Sequence, residues 1–255
     1  MHRSTKQETK RRLAMLRRRV ASGDLQAHYE LGLELLEGIQ DIRGRSVVRR
    51  SPGYAVDLLR AATEGGITEA YDSLAYAYDV GLGVRANRAE AERWYRRAYR
   101  IGSSMGAYNL AIIYRDAGDL RSAFRWWQRA AGLNDGDATV DVAYCYQYGI
   151  GVRKNAAEAR RLYRRAMSSK DISQSGREEA MYGLAISFVD VGHRTRAIPL
   201  LKSAAVDVDY PEATAVLEQI RAKKAVKPCR CRRFIRKTLL GHAECEVHKI
   251  RTGRG

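Results

Sequence analysis

Five residues near the C-terminus have the types and spacing of metal ligands: Cys229, Cys231, His242, Cys245 and His248. Three of the chain's four cysteines fall in this stretch, CRCRRFIRKTLLGHAECEVHK (229–249). His242 and Cys245 are one helical turn apart, so both can aim at one ion. Cys229 and Cys231 would add two thiolates, and zinc takes four such ligands tetrahedrally. The surrounding arginines and lysines would help keep the thiols deprotonated. The expectation is one structural zinc ion on Cys229, Cys231, His242 and Cys245, with His248 left out. A cap with unligated cysteines and a disulfide are the alternatives. The disulfide fits worst, because the basic N-terminus MHRSTKQETKRRLAMLRRRV lacks the apolar run of a secretory signal. A reducing, cytoplasmic setting is therefore expected, where disulfides are rare.

Little else resembles a reaction centre. There is no Gly-Lys-Ser/Thr phosphate loop and no His-Glu-x-x-His motif. GSSMG at 102–106 matches Gly-x-Ser-x-Gly, but a nucleophile elbow needs a strand before it and a helix after it. Here it falls between two helical patterns, which argues against Ser104 as a nucleophile. His28 and His193 read as surface or packing residues, and Cys145 as a buried small hydrophobe. No enzyme activity is expected.

The elements behind these residues are repeats. Segments beginning at Ala55, Ala91, Ala123, Ala159 and Ala197 read Ala-x-x-apolar-apolar-x-x-small, with starts 36, 32, 36 and 38 residues apart. A second series interleaves, with Leu31, Leu74, Leu110, Val142 and Leu184 each followed by Gly or Ala and, four residues on, by a bulky side chain. A sixth start is at Ala213. The three-to-four spacing marks amphipathic helices, and the small residues let helices approach closely. Asn87 with Glu90 and Asn155 with Glu158 read as N-caps, Ser51-Pro52 as a helix start, and GLGV (81–84) and GIGV (149–152) as helix stops. Pro199 should shorten or kink its helix.

The Ala-x-x-x-Leu-Gly/Ala helix, the Gly-x-Gly-Val loop and the Ala-x-x-Trp/Leu-Tyr-x-x-Ala helix resemble the Sel-1-like repeat, a relative of the tetratricopeptide repeat. The resemblance covers about residues 24–220. It departs at the basic loop GIQDIRGRSVVRRS in the first repeat and at DAGD, which replaces Gly-x-Gly in the third. It implies an all-α fold, a right-handed α-solenoid of about five helix pairs acting as a protein-binding scaffold or adaptor. The expected organisation is a basic N-terminal helix over 1–22, the repeats over 23–220 and a basic Cys/His segment over 221–255. Some relatives look like immunity proteins that neutralise toxins, which gives an alternative function.

In such a solenoid the first helix of each pair lines a concave groove. Counting from the Leu/Val of each first helix places Tyr29, Asp72, Tyr76, Tyr108, Asn109, Arg115, Asp141, Tyr144, Gln147 and Tyr182 on that face. Tyrosine gives rigid contact area and a hydrogen bond. Recognition of a protein partner and packing against neighbouring helices are both open readings for these side chains.

Charge adds a second class of partner. The net charge is +17; residues 1–20 carry +7 and residues 221–255 carry +10, so 21–220 is neutral. The basic ends could hold nucleic acid or an acidic partner. No apolar stretch has the length of a membrane span.

Overall fold

The computed structural model describes residues 6–40, 46–205 and 211–222. The calls on Cys229, Cys231, His242 and Cys245 lie outside these residues. The chain divides into two compact units, with the boundary between Ala107 and Tyr108.

Unit 1 contains α1 (Lys6–Ala21), α2 (Leu25–Glu37), α3 (Pro52–Glu64), α4 (Thr68–Val80), α5 (Arg88–Arg100) and the start of α6 (Ser104–Asp116). Consecutive helices from α1 to α5 pack on one another, and α2 also touches α4. Leu31, Leu59, Leu74 and Val56 are the large members of the core. Unit 2 takes the rest of α6, then α7 (Leu120–Gly132), α8 (Gly136–Tyr148), α9 (Ala156–Met167), α10 (Gln174–Asp190), α11 (Arg194–Ala204) and α12 (Pro211–Arg221). Here too neighbours pack in order from α7 to α12, and α8 touches α10.

The repeat arithmetic maps directly onto these pairs. The second helices α3, α5, α7, α9 and α11 each bury two alanines seven residues apart, Ala55 with Ala62 through Ala197 with Ala204. The first helices bury their Leu/Val and the small residue after it. Gly106 shows why the position must be small: a Cβ there would come 2.8 Å from the Tyr95 carbonyl oxygen. That contact accounts for one glycine of GSSMG. Ser104 is the first residue of α6, with a helix on either side of the motif.

Caps and turns set the pair boundaries. The Asn87 and Asn155 side chains accept from the amides of Glu90 and Glu158 at 3.2 and 3.1 Å. Ser51 occupies its N-cap position without a side-chain bond, so Pro52 is the effective start signal. Gly81 and Gly149 end α4 and α8 in the left-handed conformation. The second glycine of each loop has another task. Gly83 and Gly151 have φ of +79° and +67°, and a Cβ would overlap the carbonyls of Pro52 and Leu120. Each loop is thus pressed against the start of the preceding repeat's second helix. The third repeat turns in three residues, 117–119, with Asp119 capping α7 through the Ser122 amide. This short turn explains the repeat spacing of 32.

One feature differs from the sequence reading, and the helix with Pro199 follows it. The loop between α2 and α3 contains a short antiparallel pair, β1 (Ile39–Gln40) with β2 (Ser46–Val48). β-Branched residues favour extended backbone there. α11 runs through Pro199, and at 11 residues it is shorter than the 13 of α3, α5 and α7.

Candidate functional site

The face presented by the first helices is the candidate site, and the expected residues divide by repeat. In unit 1, Tyr76 is 51% exposed. Tyr29 is half-buried, and its phenol is pushed up by burial, with the charges of Glu69 and Asp72 adding to the shift and the Ser73 hydroxyl opposing it. Asp72 accepts a 2.5 Å hydrogen bond from the Ser103 hydroxyl. Ser103 in turn accepts from the Gly106 amide at 3.0 Å, so the same hydroxyl ties α4 to the start of α6. The other Asp72 oxygen, Oδ1, is buried with no partner among the described residues. Burial raises the Asp72 carboxyl above its ordinary range, and the Ser103 bond opposes this.

Tyr95, on α5, was not among the expected residues. Its ring is fully buried, and its hydroxyl has no hydrogen-bond partner among the described residues. Its phenol is pushed far up, first by burial and then by the charges of Asp79 and Asp72. Both of those carboxylates belong to α4. The matching tyrosine of α9, Tyr163, donates to Gln147 Oε1 at 2.8 Å. Asp79 holds the Gln147 position in α4, and each lies sixteen residues before the tyrosine of its helix pair. The signal was in the sequence: Tyr95 and Tyr163 occupy one register position of the Ala-x-x-apolar-apolar series.

In unit 2, Tyr108 and Asn109 are half-buried on α6, and Arg115 pairs with Asp116 at 2.7 Å. Asp141 and Gln147 are each only 2% exposed. Tyr144 is buried with its ring on Tyr148, centroids 4.4 Å apart. Tyr182 belongs to the core of α10–α12, beside Ile186, Leu201 and Leu217. Packing describes Tyr182 and Gln147; exposure leaves Tyr76 as the open tyrosine of the face.

The N-terminal helix is bound to α2. Arg12 pairs with Glu34 of α2, and Arg19 with Asp24 at 2.7 Å and Glu30 at 3.4 Å. Behind it, a cavity of about 510 Å³ is lined by Lys10, Leu13, Arg17, Leu35, Arg50 and Tyr54. The second helices are arginine-coated. Arg97 and Arg129 stack on Trp94 and Trp126 at 4.6 and 4.2 Å, and Arg161 grips Glu158 through two bonds. His28 bonds the Asp24 carbonyl, His193 is an exposed helix start, and Cys145 is buried in α8.

The sequence matches the Sel1 repeat over residues 25–67, 68–103, 104–135 and 136–171, more than half of the chain. The chain belongs to the Sel1 repeat family. Its four matched repeats end before α10 and α11, which continue the helix-pair pattern. Chitin synthase regulatory factor 2 of Schizosaccharomyces pombe is 27% identical over 185 residues, covering 60% of this chain and 36% of that protein. The fold is that of solved Sel1-type solenoids. A protective antigen of uropathogenic Escherichia coli strains displaying an SLR fold superposes with a TM-score of 0.65 at 24% identity, over 84% of this chain and 45% of the antigen. A Sel1 repeat protein from Oxalobacter formigenes gives 0.59 at 22%, over 75% of each chain. The chain thus spans about a third of the curated relative and under half of the antigen. No described helix is long and apolar enough to cross a membrane.

Proposed function

We propose that this Sel1 repeat chain is a non-enzymatic cytoplasmic scaffold that holds a segment of a protein partner on its first-helix face. The observation that carries the reading is Tyr76, a large aromatic half exposed at the position where the repeat geometry puts the binding face. Aromatic anchors of this kind dominate binding energy at protein interfaces. The buried setting of Gly106 and the helical setting of Ser104 support a scaffold over a hydrolase.

The test uses a partner isolated from the native host and purified. Tyr76→Ala should weaken its binding at least tenfold while moving stability by no more than about 0.5 kcal/mol, since the side chain is surface-exposed. Tyr144→Ala, at a buried position, should instead cost about 3 kcal/mol of stability. Unchanged binding by Tyr76→Ala would overturn the reading. Binding that ignores Tyr76 but falls steeply between 50 and 200 mM salt would move the partner to the cationic cavity beside α1 and would favour a nucleic acid.

We also propose one structural zinc ion on Cys229, Cys231, His242 and Cys245, supported by ligand type and spacing alone. Elemental analysis of protein purified without chelator should give about one zinc per chain, and the Cys229→Ser/Cys231→Ser variant should lose it. Zinc-free wild-type protein would end the idea.

A further inference from the structure

The net neutrality of residues 21–220 conceals a segregation of charge by helix type. The first helices α2, α4, α6, α8 and α10 hold twelve carboxylates and two arginines. The second helices α3, α5, α7, α9 and α11 hold sixteen Lys/Arg and five carboxylates. Unit 1 shows it most sharply: α2 and α4 carry six acids and no lysine or arginine.

Four observations say what such a face takes. Asp72, Tyr76 and Asp79 lie at i, i+4 and i+7 on α4, so they form one strip on one side of that helix. Asp72 is in no ion pair among the described residues, and its Oδ1 is unpartnered there. The fully buried Tyr95 has an unpartnered hydroxyl that feels the charges of Asp72 and Asp79. Finally, the same unit already seats arginines on a first helix, through Arg12 on Glu34 and Arg19 on Glu30.

We propose that the first-helix face of unit 1 takes a cationic segment of the partner, with an arginine or lysine side chain laid against Tyr76 between Asp72 and Asp79. The proposal rests on the scaffold reading above and names the chemistry of its partner. A guanidinium supplies five donors and stacks on aromatic rings, so one arginine can serve the Asp72 carboxylate and the Tyr76 face together. The Tyr95 hydroxyl is itself buried, so it acts on such a group through the Asp72 and Asp79 carboxylates whose charge it feels. Complementary charge additionally steers the encounter and excludes acidic segments.

The full-length protein is titrated by fluorescence anisotropy with a fluorescein-labelled peptide of four Gly-Ser-Arg triplets, and with the matched Gly-Ser-Glu peptide. A chain of net charge +17 repels a cationic peptide at long range, so binding reports the local face. The arginine probe should bind and the glutamate probe should not. Asp72→Asn/Asp79→Asn should weaken the arginine probe at least tenfold. Because Asp72 also holds Ser103, Tyr95→Phe provides a second variant with no ion or cap removed; it should weaken binding severalfold without lowering the thermal midpoint. An arginine probe that ignores both variants, or fails to bind the wild type, overturns the proposal. If Tyr76→Ala still abolishes capture of the purified partner in that case, the scaffold reading survives alone. A synthetic peptide of residues 229–241 that displaces the probe more tightly than unlabelled probe does would assign the face to the chain's own basic segment. An Asp72-dependent dimer in sedimentation velocity would assign it to a second copy. Either result removes the partner assignment.

Discussion

Gly83→Ala is expected to cost about 2–5 kcal/mol of stability, and Gly151→Ala about the same. Two terms add. A non-glycine residue in the left-handed region costs about 1–2 kcal/mol. Both glycines have such a φ, at +79° and +67°. The second term is overlap. A new Cβ meets the carbonyl of Pro52 or Leu120, which belongs to helix backbone and cannot rotate away as a side-chain tip would. Forcing extra atoms into packed structure typically costs about 1–3 kcal/mol. Gly118 separates the terms, because its φ is +82° and a Cβ there meets nothing within 4 Å. Gly118→Ala should therefore show the backbone cost alone. Chemical denaturation of the three variants gives the comparison, and hydrogen exchange locates the loss, at the α3 start for Gly83 and the α7 start for Gly151. Equal losses for Gly83→Ala and Gly118→Ala would show that the loop does not press on the preceding repeat.

That loop shows how far the sequence carries the fold. Gly-x-Gly-Val announced a helix stop, and both first glycines are left-handed caps. Its second glycine was legible only as a turn residue, because the surface it touches belongs to a helix about thirty residues upstream. The helix pairs were legible because small residues recur at fixed spacing, and every such alanine of the second helices is buried. The β1–β2 pair was not, since strands of two and three residues have no periodicity to read.

The binding face was legible in register and illegible in cover. Counting from Leu74 or Val142 gives the direction of each side chain but not the depth of its neighbours. Tyr76 and Tyr144 hold the same register position, yet one is half exposed and the other buried on Tyr148. Tyr182 was drawn into the core because α10, at 17 residues, packs against α8, α9 and α11. The charge segregation was present in the sequence throughout. It disappears when charge is summed over the whole repeat region and emerges only when the repeats are aligned helix by helix.

Tyr95→Phe should raise the stability of the protein, by about 1–3 kcal/mol. A buried hydroxyl without a partner bears its desolvation cost uncompensated, and that cost is of this size. Tyr95 meets the conditions: the ring is fully buried, and the hydroxyl is unpartnered among the described residues. Burial, together with the charges of Asp79 and Asp72, suppresses its ionisation. Phenylalanine keeps the ring, its volume and its packing, so no cavity opens. Tyr163→Phe is the contrast. Its hydroxyl donates to Gln147 at 2.8 Å, and removing it orphans the Gln147 oxygen in a buried site. That variant should lose about 1–2 kcal/mol. Opposite signs at two tyrosines of one register position would mean that the repeat keeps a costly hydroxyl where α4 carries Asp72 and Asp79 and a satisfied one where α8 carries Gln147. A fall in the midpoint of Tyr95→Phe would show that the hydroxyl already has a partner and is not waiting for one.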